Sequence, residues 1–380
     1  MIRSSNRLEN IQEYYFSKKL REVQELLAQG KSIINLGIGS PDLAPDVRVI
    51  AAMQNSINDA NAHAYQSYQG LPEFRKTIED FYNQKYRVRV NQNNEILPLM
   101  GSKEGILHIS MAFLNKGDAV LIPNPGYPTY TSVTRLVDAK PIFYNLDIDH
   151  HWQPDFEALE SLELSEVKIM WVNYPHMPTG AIPRENTFQK LVTFGKKHHI
   201  LIVNDNPYSF ILNDKPQSIL EIEGAKDVAL ELNSLSKSFN MAGWRVGMLL
   251  GSESHIKKVL KVKTQMDSGM FYGIQKGAIA ALASGVDWFN NLNKLYGQRR
   301  ELVWELADKL KCNFDKNSSG LFVWAKLPTG KTAEKMVDFL LRDKHIFVAP
   351  GTVFGSRGEG YIRFSLCVSE EKIKEAIHRI

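Results

Sequence analysis

Lys237 lies in Ser234-Leu235-Ser236-Lys237-Ser238-Phe239-Asn240-Met241-Ala242-Gly243-Trp244-Arg245-Val246-Gly247, one amine among two upstream hydroxyls, a downstream arginine and two glycines. An amine that is partly desolvated, or close to another cation, has its pKa drawn toward neutrality and can condense with a carbonyl to a Schiff base. Hydroxyls and a guanidinium beside it suit a phosphate, which arginine binds through paired charge-assisted bonds. The cluster reads as a site for an aldehyde that carries a phosphate. A lysine without such flanks is ordinarily a solvated surface charge.

Short apolar runs position this cluster. Ala119 to Pro123, Val167 to Asn173, Ile200 to Asp205, Val228 to Ser234 and Val246 to Gly251 have the length and bounding residues of buried strands. Helical patterns at Ser102 to Leu114 and Arg184 to His198 alternate with them. This order predicts an α/β fold with a mainly parallel sheet covered by helices on both faces. Ligands in such folds sit outside the carboxyl ends of the strands. Gly101-Ser102-Lys103 at a helix start, Tyr127, the stretch Asn173 to Gly180, Asp205 to Tyr208 and Lys237 all fall at strand exits, so one shared pocket is expected. Asp205 ends an apolar strand, where a bare carboxylate is costly unless paired. The alternative for it is a cap on Asn206-Pro207, as for Ser102 it is a plain helix cap. The helix start at Gly101 favours an anion through its exposed N–H groups, but the spacing of a nucleotide P-loop is absent.

Composition narrows the class. The 380 residues favour two domains, and 43% hydrophobic with 23% charged residues is ordinary for a globular protein. A net charge of +4, mixed along the chain, provides no basic stripe for nucleic acid. Cys312 and Cys367 are too few for a disulfide scaffold and too far apart for a clustered metal site, which fits a reducing cytoplasm. Neither a signal peptide nor a membrane span is expected from the polar start and the absence of long apolar runs. After Gly251 a long helix, Asp287 to Leu310, leads into an α+β section. A helix near Ser17 to Gln29 and a strand at Ile33 to Leu36 are expected to join that smaller domain. The division is a large domain at 43–285 and a small one at 1–42 and 286–380.

Eight motifs occur in a telling order: Gly39-Ser40-Pro41-Asp42, Tyr65 with Gly70-Leu71-Pro72-Glu73, Gly101-Ser102-Lys103, Pro125-Gly126-Tyr127-Pro128, Pro178-Thr179-Gly180, Asp205-Asn206-Pro207-Tyr208, the lysine block and Arg363. In these the chain resembles the fold-type I, pyridoxal-phosphate-dependent aminotransferases of class I/II, similar to aspartate and LL-diaminopimelate aminotransferases. The resemblance implies a seven-stranded sheet and pyridoxal 5'-phosphate as cofactor. It implies Lys237 as the Schiff-base lysine and proton shuttle, and Ser234, Ser236, Arg245 and the Gly101-Ser102-Lys103 helix start as phosphate ligands. Asp205 would face the pyridinium nitrogen, Tyr208 and Asn173 would bond the cofactor, and Tyr127 would stack on its ring. Arg363 and the Gly39 backbone would grip the substrate α-carboxylate. Tyr65 would reach the phosphate of a neighbouring subunit, which makes the active unit a homodimer.

One position departs from the resemblance. Met177 stands where the family has an asparagine before Pro178-Thr179-Gly180, and a thioether cannot donate that amide's bond. Asn173 is the expected compensator. The expected activity is ping-pong transfer of an amino group between an L-amino acid and a 2-oxo acid. A lyase or synthase using the same cofactor is the alternative, followed by a cofactor-binding regulatory domain. Tyr14, Tyr15, Phe16, Met177, Met270, Phe271 and Tyr272 together predict an apolar, adaptable side-chain pocket.

Overall fold

The apolar runs become strands because they bury both faces: Ala119–Asn124, Leu201–Asp205, Ala229–Ser234 and Gly247–Gly251 are buried at every position. The computed structural model describes residues 2–9, 11, 13 and 15–380. In chain order the strands are β1 (Ile34–Asn35), β2 (Ile96–Leu99), β3 (Ala119–Asn124), β4 (Lys140–Asn145), β5 (Val167–Val172), β6 (Leu201–Asp205) and β7 (Ala229–Ser234). They continue with β8 (Gly247–Gly251), β9 (Asn313–Phe314), β10 (Phe322–Lys326), β11 (Ile346–Phe347), β12 (Ala349–Pro350) and β13 (Tyr361–Ser365).

Among the described residues the large sheet has seven strands in the order β2-β8-β7-β6-β5-β3-β4, and β8 alone runs against the others. Successive side chains go to opposite faces, so Ile169 and Trp171 enter one core while Met170 and Val172 enter the other. The two strands absent from the sequence reading, β2 and β4, are the edges of this sheet. Each carries a proline, Pro98 or Pro141, which a ladder tolerates only where one side needs no donor. In β4 the burial alternates incompletely, so its apolar signal is diluted by Lys140 and Asn145.

A four-stranded antiparallel sheet, β12-β13-β10-β9, follows in the last quarter of the chain, and β1 pairs in parallel with β11. The Tyr15–Ala28 helix also reaches C-terminal elements, Lys19 bonding Asp338 and Glu22 accepting from Arg342. The Val286–Lys309 helix links the two sheets. Near its start the Trp288 indole N–H donates to the Ser238 carbonyl at 2.8 Å, and Asn293 bonds the backbone of Phe210 and Leu212. Nearly two turns further on, buried Arg299 forks onto both oxygens of Asp42 at 2.7 and 2.9 Å and donates to the Leu366 carbonyl. This ties the Gly39-Ser40-Pro41-Asp42 loop to the small sheet. No helix among the described residues is long and apolar enough to cross a membrane.

Candidate active site

The lysine is set by the end of β7. Ser234 leaves that strand and caps the short Leu235–Ser238 helix, its Oγ accepting from the Ser236 N–H at 3.0 Å while its hydroxyl donates to Ser236 Oγ at 2.8 Å. Lys237 follows on this turn, partly buried, and its Nζ donates to the Gly39 carbonyl at 2.6 Å. Burial holds the amine below the ordinary lysine range; the Arg363 and Arg245 cations push the same way, against the Cys367 and Asp205 groups. Arg245, in the left-handed region at φ 56°, turns its guanidinium over Gly101. A Cβ at Gly101 would lie 2.2 Å from Arg245 Nη2, and φ of 90° there also disfavours any other residue. A Cβ at Gly247 would lie 2.7 Å from the Ser102 nitrogen. The two glycines let Arg245, Ser234, Ser236 and the start of the Ser102–Phe113 helix meet in one corner. Lys103 stands in that corner as well, its amine lowered by burial and by Arg245.

Asp205 closes β6 and is buried. Its Oδ2 accepts from the Tyr130 hydroxyl at 2.8 Å, and its Oδ1 has no partner. Burial pushes the carboxyl up to about 7, although the Tyr130 hydroxyl and the Lys237 charge pull it down. The cap on Asn206-Pro207 is therefore not what Asp205 does. Tyr130 sits one turn into the Pro128–Leu136 helix that Tyr127 precedes, and it stacks on Trp171 at 4.8 Å with the rings 6° from parallel. Tyr127 meets Tyr130 edge-on at 5.5 Å. Asn173 donates to the Asp205 carbonyl and accepts from the Met177 N–H at 2.8 Å. Its carbonyl and one N–H are thus committed to holding two strand exits together, so it does not replace the missing asparagine amide in full. Burial raises the Tyr208 hydroxyl well above the ordinary phenol range.

At the opposite end Arg363 projects from β13. Its Nη2 donates to the Gly37 carbonyl at 2.8 Å and its Nη1 approaches Met177 Sδ at 3.3 Å. The guanidinium carbon lies 3.8 Å from the centre of the Phe322 ring, 4.6 Å from Phe354 and 5.6 Å from Phe16. Gly39 is a glycine here because a Cβ would fall 2.3 Å from Phe322.

One cavity of about 580 Å³ receives Gly39, Ser102, Lys103, Tyr127, Asn173, Met177, Asp205, Tyr208, Ser234, Ser236, Lys237, Arg245 and Arg363. The expected side-chain group is only partly there. Phe16 and Met177 line this cavity; Tyr15 lines a neighbouring one. Met270 is buried in the core, Phe271 is 40% exposed, and Tyr272 donates to Asp59 at 3.0 Å, so these three do not form the wall of this chain's cavity. Tyr14 lies outside the described residues. Tyr65 is 90% exposed and away from its own chain's cavity. Tyr130, Phe322 and Phe354 went unseen in the sequence reading. Tyr130 lies three residues after Tyr127, yet nothing local pairs it with a carboxylate 75 positions on.

The model for the family described as aminotransferase class I and II matches residues 31–380. The chain belongs to the class I and II aminotransferases. An LL-diaminopimelate aminotransferase from Aquifex aeolicus is 37% identical over 382 residues, covering 100% of this chain and 99% of the relative. One from Natranaerobius thermophilus is 38% identical over 381 residues, covering 100% and 99%. Among solved structures, apo-BacF from Bacillus subtilis superposes with a TM-score of 0.96 at 34% identity, covering 100% of this chain and 98% of that one. An aminotransferase from Staphylococcus aureus gives 0.90 at 32% identity, covering 99% and 98%. This aminotransferase is a transaminase that works with pyridoxal 5'-phosphate. The residues fit that group: an orphaned buried carboxylate oxygen suits a protonated ring nitrogen, and the Gly101 corner gathers cations, hydroxyls and helix N–H groups as a phosphate requires.

Proposed function

We propose that this aminotransferase moves an amino group from an L-amino acid to a 2-oxo acid in two half-reactions at one site, with Lys237 as the shuttle. The observation that carries the reading is Lys237 and buried Asp205 facing one cavity, the amine lowered and the acid raised toward each other. When bound, pyridoxal phosphate supplies an aldehyde and an electron-accepting ring. Lys237 Nζ would anchor the cofactor between turnovers and would take up and return the substrate α-proton, a task suited to an amine depressed toward neutrality. Asp205 Oδ1, buried without a partner, would keep a proton on the cofactor's ring nitrogen. Tyr208 and Asn173 would hold the ring and Tyr127 would cover it. The backbone at Gly101, with Ser102, Lys103, Ser234, Ser236 and Arg245, grips the phosphate. Arg363, with the Gly39 backbone, takes the α-carboxylate and so sets the α-carbon beside Lys237.

The same reading includes a large domain at 43–285 and a small one at 1–42 and 286–380, with the site in the cleft between their sheets. It also includes a homodimer. Tyr65, Tyr68, Met266 and Phe271 are each at least 40% exposed, and a Cβ at Gly269 would touch the Gln66 carbonyl, which places these segments side by side. A second copy covering this apolar patch would receive Tyr65 at its phosphate corner. Two buried, unpaired cysteines suit a reducing cytoplasm.

The name carried by the relatives supplies a second reading of the donor, LL-diaminopimelate, favoured by identity along the whole chain. The experiment for the main reading is a half-reaction. An amino acid added alone to the holoenzyme releases one equivalent of 2-oxo acid and leaves one of pyridoxamine phosphate. Lys237→Ala loses turnover by on the order of 10⁴-fold together with the yellow colour of the bound cofactor. Retention of both in the variant refutes the role of Lys237.

A further inference from the structure

The cavity has four cationic lining residues among the described ones: Lys103, Lys237, Arg245 and Arg363. Lys103 and Arg245 share the Gly101 corner at the phosphate end, and Lys237 stands between the two ends. Arg363 is the grip for the α-carboxylate. The apolar lining of the cavity is Phe16, Leu20, Ile38, Met177, Phe322 and Phe354, and the uncharged hydroxyls of Ser17, Ser40 and Tyr208 accompany it. Three of these are rings laid against the guanidinium, at 3.8 to 5.6 Å from its carbon, and Met177 Sδ lies 3.3 Å from Nη1. Once an α-carboxylate docks on Arg363 and the α-carbon meets Lys237, the substituent of that carbon runs along this wall.

We propose that the donor's side chain is apolar, of the aromatic, thioether or branched aliphatic class, and that Met177 with Phe16 and Leu20 selects it. This deepens the transaminase reading and rests on it. A second carboxylate or a distal ammonium set against this wall gives up its hydration for at most a neutral hydroxyl of Ser17 or Ser40 and no opposite charge. A hydrocarbon side chain gains from the same contact, and the thioether of Met177 adapts to its shape. Met177 serves both ends of this choice. It contributes apolar surface, and the bond its sulfur accepts from Arg363 Nη1 is a weak one that a carboxylate oxygen would outcompete.

Calorimetry on the holoenzyme with saturated acids that lack an amino or oxo group reads the wall without turnover. The Kd of 3-phenylpropanoate is expected roughly tenfold or more below those of glutarate and heptanedioate. In half-reactions, phenylalanine, methionine and leucine are expected to exceed aspartate and LL-diaminopimelate by a similar factor in kcat/KM. Leu20→Lys is expected to bring the ratio of the Kd values near one or invert it. Tighter binding of either diacid by the parent enzyme, or faster conversion by LL-diaminopimelate or aspartate, overturns the proposal and leaves transamination intact. An unchanged ratio in Leu20→Lys removes the wall from the side chain's path and overturns it too. If no donor converts the cofactor, the transaminase reading falls, and the binding ratio still decides whether the wall selects apolar acids.

Discussion

At the cofactor end, the phosphate corner and the lysine come from a dozen residues of one segment, Ser234 to Arg245, pressed against one helix start. At the carboxylate end, Phe16, Gly37, Met177, Phe322, Phe354 and Arg363 come from five separate stretches and meet only through the small sheet. The first end is polar and rests on strand termini of the large sheet. The second is a cation walled by rings. On the proposed reading the difference separates two tasks: the rigid polar end keeps the chemistry invariant, and the assembled apolar end decides which molecule undergoes it. Damage at the first should appear in kcat, and damage at the second in KM.

Asp205→Asn breaks the first half of this contrast most severely among changes that spare the lysine. Without a carboxylate to hold the ring proton, kcat is expected to fall on the order of 10² to 10³-fold, with KM moving less. The apo-protein supplies an independent readout. Folded Asp205 titrates near 7 against a reference of 3.8, so the folded state keeps a proton the unfolded chain has released. Its contribution favours folding below about pH 4 and is lost as pH rises through about 7. Above that, Asp205→Asn removes the cost of a buried charge. Denaturant unfolding of the apo-variant should then show it more stable than the parent by roughly 2 to 4 kcal/mol at pH 8, with the two converging near pH 4. Parallel curves at all pH values would show that folding leaves the Asp205 carboxyl at its ordinary value in the apo-protein.

Arg363→Lys probes the other end. A point charge on a flexible stem cannot fork onto a carboxylate or lie flat between Phe322 and Phe354. Loss of about 1.5 to 3 kcal/mol of charged hydrogen bonding is expected as a KM rise of roughly ten- to a hundredfold, with kcat changed much less. A fall confined to kcat would erase the proposed division of tasks. The smallest effect is expected from Tyr130→Phe. It removes the hydroxyl that lowers the Asp205 carboxyl. The acid should rise further, and kcat should fall by up to about tenfold, most of it at the acidic limb of the pH profile.

The inner strands β3, β5, β6, β7 and β8 were legible to within one residue at most ends, because a strand buried on both faces must be written in continuous apolar residues. The edge strands β2 and β4 were not: β2 is buried but only four residues long and interrupted by Pro98, and β4 is mostly exposed or half-buried and mixes Lys140 and Asn145 into its apolar run. Placement of Ser102, Tyr127, Asn173, Asp205 and Lys237 at strand exits followed from element order alone, because a parallel sheet puts every such exit on one edge. Pairings across the fold carry no local mark. The Tyr130 hydroxyl on Asp205, the Arg299 fork on Asp42 and the rings of Phe322 and Phe354 on Arg363 each join segments far apart in the chain. Met270, Phe271 and Tyr272 show the reverse: a composition suited to a pocket, spent on core packing and surface instead. What this sequence determined by itself was the chemistry that short-range spacing encodes, an amine, an acid and a phosphate cradle at fixed positions along alternating strands and helices. Which side chains surround the carboxylate grip was decided only when two sheets came together, because contacts between distant segments depend on three-dimensional closure and leave no periodicity to read.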